Sequence, residues 1–172
     1  MTTKPTPENV TDMHREVSIM YLKSTPAFAV RTPKGQKDPG TVAWDAKANN
    51  REKSNEALRV IERTNDNLGI HLFGSVVDVD VDTDNPFMTA ALDALLPPTP
   101  HVWGRASRRK THRLYQLGGE NDKFDPKLFP FLEKIQALDS INVEVRGGEQ
   151  KSAEYSLLPG SIHPSGEAYE WE

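Results

Sequence analysis

The stretch Val76-Val77-Asp78-Val79-Asp80-Val81-Asp82 decides how the rest of the chain is read. Successive side chains of a strand point to opposite faces. The alternation therefore predicts a strand with Asp78, Asp80 and Asp82 on one face and valines on the other. Like charges two residues apart on one face repel each other. Two arrangements relieve that repulsion. One is a bound divalent cation, and oxygen-only ligands suit Mg²⁺ or Mn²⁺. The other is a solvated edge strand whose acids discourage edge-to-edge association. The residues alone leave both open.

Outward from this strand, residues 70–73 read as a second strand joined to it through Gly74-Ser75, a predicted hairpin. Residues 86–96 read as a helix with proline in its first turn, stopped by Pro97-Pro98. Upstream, residues 11–23 predict a helix capped by Thr11 or Asp12, with Met13, Val17, Met20 and Tyr21 as its core stripe. A short strand at 27–31, a Pro/Gly/Lys loop at 32–40 and a helix at 52–67 follow. That helix turns Ala57, Leu58 and Ile61 inward and ends near Asn67 and Gly69. Downstream, strands at 102–105 and 112–117 flank a basic loop. A helix at 126–138 precedes strands at 141–146, 155–158 and 168–171. Helices mixed with antiparallel hairpins, without a repeat period, make the class α+β. The polar residues 1–10 are expected to be a flexible segment, with 11–172 as one domain.

Composition narrows the function. The chain has 172 residues, 36% of them hydrophobic, enough for a real core. It has no run of about 18 apolar residues and no charged-then-apolar leader, so no membrane association is expected. Zero cysteines exclude disulfides, thiolate zinc sites and cysteine nucleophiles, and a cytoplasmic address fits. A net charge of −4 gives no global pull toward nucleic acid, so such binding needs a local basic patch.

That patch exists. Five of the nine residues from 105 to 113 are Arg or Lys: Arg105, Arg108, Arg109, Lys110 and Arg113. Such a cluster suits phosphate oxygens of a triphosphate or a nucleic-acid backbone, although a solvated charge run has the same composition. In the strand that opens at His112, period two sets His112 and Leu114 on one face and Arg113 and Tyr115 on the other. Further on, Val143-Glu144-Val145-Arg146-Gly147-Gly148 sends the Glu144 side chain away from its flanking valines. There it can complete a metal site or simply face solvent.

Taken in order, these pieces resemble the primase-polymerase (prim-pol) domain of the archaeo-eukaryotic primase superfamily, in its plasmid and phage form. An apolar strand ends in Asp78-x-Asp80. A strand opening with His112 follows, within Lys-Thr-His-Arg-Leu-Tyr, and then Glu144 in Val-Glu-Val-Arg-Gly-Gly. Leu158-Pro159-Gly160-Ser161-Ile162-His163-Pro164-Ser165-Gly166 and Tyr169-x-Trp171 complete the series. Lys37, Pro39 and Trp44 resemble the family's early segment. The resemblance spans roughly residues 25–171, and its specificity comes from the order of the motifs, since Asp-x-Asp alone is a weak signal. One position departs: Lys110 stands two before His112, where the family usually has a small residue.

The resemblance implies an RRM-like catalytic core and a DNA primase/polymerase that transfers nucleotides from (d)NTPs to a 3′-hydroxyl on a single-stranded template. It implies two Mg²⁺ or Mn²⁺ ions on Asp78, Asp80 and Glu144, with His112 at the nucleotide phosphates. Arg146, Arg113, Ser161 and His163 would line the nucleotide site, and Arg105, Arg108, Arg109 and Lys110 would meet DNA. Asp82 shares the acidic face without being one of the family's ligands. Relatives commonly continue into a helical domain and a helicase, so a core belonging to a longer replication protein is expected. Two other classes use the same residues. A metal-dependent nuclease needs the same carboxylates, whereas a non-catalytic single-stranded-DNA module needs only the basic cluster and aromatics. Trp44 and Trp103 suit base stacking or core packing. His14, His71 and His101 carry no motif and are expected to be ordinary surface or packing residues.

Overall fold

The computed structural model describes residues 7–39, 51–73, 75–83, 85–116, 142–147 and 154–172. Its elements are α1 (Pro7–Ser24), β1 (Ala29–Thr32), α2 (Arg51–Ile61), β2 (Asn67–His71), β3 (Val76–Asp82), α3 (Pro86–Leu95), β4 (Val102–Arg105), β5 (Arg108–Gln116), β6 (Asn142–Gly147), β7 (Tyr155–Leu157) and β8 (Tyr169–Trp171). The class is α+β, and its sheets are antiparallel. The elements fall into two compact units: α1, β1, α2, β2, β7 and β8 in one, β3, α3, β4, β5 and β6 in the other. The predicted helix at 126–138 lies outside the described residues, as do Trp44 and Gly74. Among the described residues no helix is long and apolar enough to cross a membrane.

In the second unit the strands pair in the order β6-β3-β5-β4. β3 is therefore paired on both sides and is not the edge strand that its acids also suited. Its valines meet α3, where Val79, Val81 and Val143 form one buried cluster with Leu92 and Leu96, joined by Met88, Tyr115 and Val145. Burying each such side chain stabilises by roughly 1.5–3 kcal/mol. α3 starts because the Asn85 side chain accepts from the Phe87 amide at 3.0 Å, with Pro86 in the first turn, where no amide is needed.

β4 and β5 keep register at Trp103↔His112 and Arg105↔Arg108, and the pairing shifts in between. That bulge presses β5 onto Gly104, where a Cβ would lie 2.7 Å from the Lys110 amide. Lys110 adopts φ +54° in the bulge, the left-handed region that glycine, having no Cβ, tolerates best. The expected basic loop is thus mostly strand, because β5 begins at Arg108.

Other expectations are corrected in the same way. β2 and β3 do not form a hairpin: β2 pairs β1 and β7, and β3 pairs β5 and β6. α1 begins at Pro7, so neither Thr11 nor Asp12 caps it, and it reaches into the segment expected to be loose. Its stripe of Met13, Val17 and Met20 faces outward, while Ser18 and Leu22 are buried. Hydrogen bonding explains the turn of the helix. Ser18 Oγ donates to the Pro159 carbonyl at 2.8 Å and accepts from Trp171 Nε1 at 3.1 Å. His14 Nδ1 accepts from the Trp171 amide at 3.1 Å. An Arg15 nitrogen donates to the carbonyl of Ile61, the last residue of α2, and to that of Thr64 just beyond it, at 2.7 and 3.0 Å. α2 ends at Ile61, short of the expected Asn67, and Asn67 and Gly69 belong to β2.

Candidate active site

The register of the second unit builds the site. Trp103 of β4 lies opposite His112 of β5, His112 opposite Asp80 of β3, and Asp80 opposite Glu144 of β6. The next row sets Leu114, Asp78 and Arg146 side by side. Residues two apart share a face, so Asp78, Asp80, His112, Glu144 and Arg146 converge on the face away from α3.

Asp78 is wholly buried. Its Oδ2 lies 2.9 Å from His112 Nδ1, and its Oδ1 accepts from the Arg113 amide at 3.2 Å. One face of the imidazole is covered by Trp103, with ring centroids 4.9 Å apart and planes 11° apart. Burial pushes the His112 pKa down. The Asp78 charge, its hydrogen bond and the Asp80 charge push harder the other way, and the pKa is raised. Asp80 is 3.7 Å from the same imidazole nitrogen. Burial raises the Asp80 pKa, and the charges of Asp78 and Glu144 add to this against the opposing pull of His112 and Arg146.

The Arg146 guanidinium spans two carboxylates. Its Nε donates to Glu144 Oε2 at 2.8 Å, and a terminal nitrogen is ion-paired with Asp80 Oδ2. Burial would lower the Arg146 pKa, but the surrounding acids outweigh it and hold the group charged.

Arg113 is parted from this group. It leaves on the α3 face, almost fully buried, and donates to Asp93 Oδ1 at 2.5 and 3.2 Å and to the Lys110 carbonyl at 2.7 Å. Asp93 also pairs with Lys110 at 3.2 Å. Asp93 was missed in the sequence, where its one signal is that it is the lone charge in the apolar run of α3. The other basic residues are likewise engaged with acids: Arg108 with Asp82, and Arg109 with Glu172 at 2.8 and 3.0 Å. Arg105 faces Arg108 across the β4–β5 turn.

Ser161 and His163 belong to the other unit. Ser161 is buried, where its Oγ donates to the Leu68 carbonyl at 2.8 Å and accepts from the Leu68 amide at 3.0 Å. Asn67 clasps Ile162 beside it, through bonds of 2.7 and 2.8 Å. His163 Nδ1 accepts from the Ser165 amide at 3.0 Å, and its ring meets Tyr169 edge-on at 6.0 Å. The Pro-Gly-Ser-Ile-His stretch thus ties itself to β2. A cleft of about 760 Å³ in this unit is lined by Thr11, Asp12, Arg15, Lys34 and Glu170, but by none of the expected site residues.

Among the described residues, no group of three or more His, Asp or Glu side chains is arranged to hold a metal ion. The reason is visible: Arg146 lies across Asp80 and Glu144, and Asp78 is turned to His112. The donor chemistry itself suits a hard divalent cation. Asp80 and Glu144 sit opposite each other on neighbouring strands, both offer carboxylate oxygens, and a positive group already bridges them.

No curated protein and no solved structure matches the chain. The family described as "Bifunctional DNA primase/polymerase, N-terminal" (Prim-Pol) matches residues 13–172. Membership implies a nucleotidyltransferase-type enzyme acting on DNA and nucleotides, in a family that is generally metal-dependent. With 13–172 of its residues matched, the chain belongs to the Prim-Pol family of bifunctional DNA primase/polymerase domains.

Proposed function

We propose that this domain carries out template-directed nucleotidyl transfer from (d)NTPs to a 3′-hydroxyl, with Asp78, Asp80 and Glu144 holding two Mg²⁺ or Mn²⁺ ions. The observation that carries this reading is the cross-strand group itself: three carboxylates, one imidazole and one guanidinium on a single sheet face. When bound, the ions would activate the 3′-hydroxyl and stabilise the departing pyrophosphate. The protein's own part is positioning. Asp78 fixes His112 from one side and Trp103 from another, so the imidazole is oriented before a nucleotide arrives. With Nδ1 turned to Asp78, Nε2 is the nitrogen that meets a phosphate oxygen. The neighbouring carboxylates raise its pKa and so favour the cationic imidazole, which suits an anionic partner.

The basic turn end of the β4–β5 hairpin serves the single-stranded template and primer. Exposed ion pairs such as Arg109–Glu172 are worth only about 0–1 kcal/mol, so DNA phosphates can take over their cations. Arg113 acts at one remove, fastening α3 to the back of the sheet.

The test is to give the protein a 5′-labelled primer on a single-stranded template with dNTPs and Mn²⁺. Lengthening of the primer is expected. Shortening instead would move the same carboxylates to phosphodiester hydrolysis, and an unchanged primer with tight DNA binding would make the domain a non-catalytic module.

A further inference from the structure

Arg146 holds two of the three carboxylates that the proposed function assigns to metal. Its backbone lies opposite Asp78, yet its guanidinium reaches past that residue. It contacts Asp80 across the strand pair and Glu144 two positions back on its own strand. The oxygens it occupies, Asp80 Oδ2 and Glu144 Oε2, belong to two of the carboxylates that the proposed function gives to the ions. A guanidinium within hydrogen-bond distance of both repels a second cation from the same place. The two occupants exclude each other.

We infer that Arg146 is an internal counter-ion of the acidic cluster, which yields Asp80 and Glu144 to the divalent cation when a nucleotide offers phosphate oxygens in exchange. Three features support it. Asp80 is largely buried among like charges, so some cation must accompany it when it is ionised. The Arg146 side chain is 27% exposed and long, so it can swing out without repacking the valine face. A planar guanidinium that leaves a carboxylate pair finds an equivalent bidentate partner in a phosphate. The consequence is coupling: metal binds weakly alone and tightly with nucleotide, and each ligand raises the affinity for the other by the same factor.

This inference rests on Asp80 and Glu144 being ion holders, and its test separates the two ideas. Mn²⁺ binding is measured from the free-ion spin-resonance signal, with and without a non-hydrolysable triphosphate analogue. Wild type is compared with Arg146→Gln, Arg146→Lys and Asp80→Asn. Without nucleotide, Arg146→Gln should bind Mn²⁺ at least about tenfold more tightly than wild type, and the gain on adding nucleotide should shrink. Its melting temperature without metal should fall, and Mn²⁺ should raise it by more than in wild type. Arg146→Lys, a smaller change that keeps the charge but not the fork, should lie between the two. Equal or weaker Mn²⁺ binding by both folded variants would overturn the inference while leaving the metal site standing. Wild-type Mn²⁺ affinity in Asp80→Asn would instead remove the metal site itself, and the inference with it.

Discussion

The indole of Trp103 lies flat on the imidazole of His112, with centroids 4.9 Å apart and planes inclined by 11°. Trp103 is completely buried, and Asp78 grips the imidazole at Nδ1. Two side chains from two neighbouring strands therefore fix the plane and the rotation of one ring.

Trp103→Phe keeps an aromatic face against His112, whereas Trp103→Leu removes it. Aromatic contacts are worth about 0.5–1.5 kcal/mol beyond their buried area, so the leucine variant should raise the nucleotide Kd by about three- to tenfold. The phenylalanine variant should stay close to wild type. Nucleotide titration of both folded variants checks this, and equal affinities would mean that the stack does not orient His112.

His112→Ala should weaken nucleotide binding far more than DNA binding. A charge-assisted contact to phosphate is worth about 1.5–3 kcal/mol, so a rise in nucleotide Kd of about tenfold or more is expected. Titrating a labelled nucleotide and a labelled oligonucleotide against the same variant gives both numbers. A parallel loss of the two affinities would place His112 in the template contact.

Asp93 should give a pH-dependent share of stability. Burial pushes its pKa up, but hydrogen bonds from Arg113 and Lys110 outweigh this and hold it below the usual carboxylate range. A carboxyl lowered in the folded state stabilises above its unfolded pKa of about 3.9, and that share is lost as pH falls through the folded value. Asp93→Asn should therefore cost about 1–3 kcal/mol near neutral pH, because Arg113 is left buried with a weaker partner. The gap to wild type should begin to close below about pH 4 and keep closing as pH falls through the lower folded value. Denaturant melts at pH 7 and in acid measure it; a gap that stays constant would remove the ion pair from the account.

Lys110 offers a backbone test. A left-handed conformation costs an L-residue roughly 1–2 kcal/mol, and Lys110 holds φ +54°. Lys110→Gly and Lys110→Ala both lose the pair with Asp93 and differ only in the Cβ. The glycine variant should be the more stable by about 1 kcal/mol, read by thermal or denaturant unfolding. An alanine variant of equal stability would show that the bulge relaxes.

The acidic strand and α3 were legible because each follows one period and carries its own stop signals: alternating valines in β3, Pro86 and Pro97-Pro98 around α3. α1 was legible as a helix but not in its facing. Its apolar stripe looked like a core face, while Ser18, His14 and Arg15 won the inside by satisfying the backbone of Pro159, Trp171, Ile61 and Thr64. Hydropathy cannot register that. The pairing of β2 and β3 was misread because a Gly-Ser turn signal states that the chain bends, not which sheet the next strand joins. In the site, the residue types could be named, but their adjacency could not. Asp80 meets His112 and Glu144 only through a register set across three strands. The Arg113–Asp93 pair depends on a helix packing behind the sheet, and the Lys110 bulge on Gly104, neither of which a local pattern encodes.

If Asp78, Asp80 and Glu144 serve one nucleotidyl-transfer site, primer extension by charge-neutralised variants shows it most plainly. Asparagine keeps the shape of aspartate and an oxygen for the Arg113 amide, so Asp78→Asn with Asp80→Asn should stay folded by circular dichroism. Incorporation of labelled nucleotide in Mn²⁺ should then be abolished in this double variant. It should fall about as severely in Glu144→Ala, since groups that act as a unit are not additive. Extension at the wild-type rate by the folded double variant, or a loss under about tenfold in Glu144→Ala, would contradict the account.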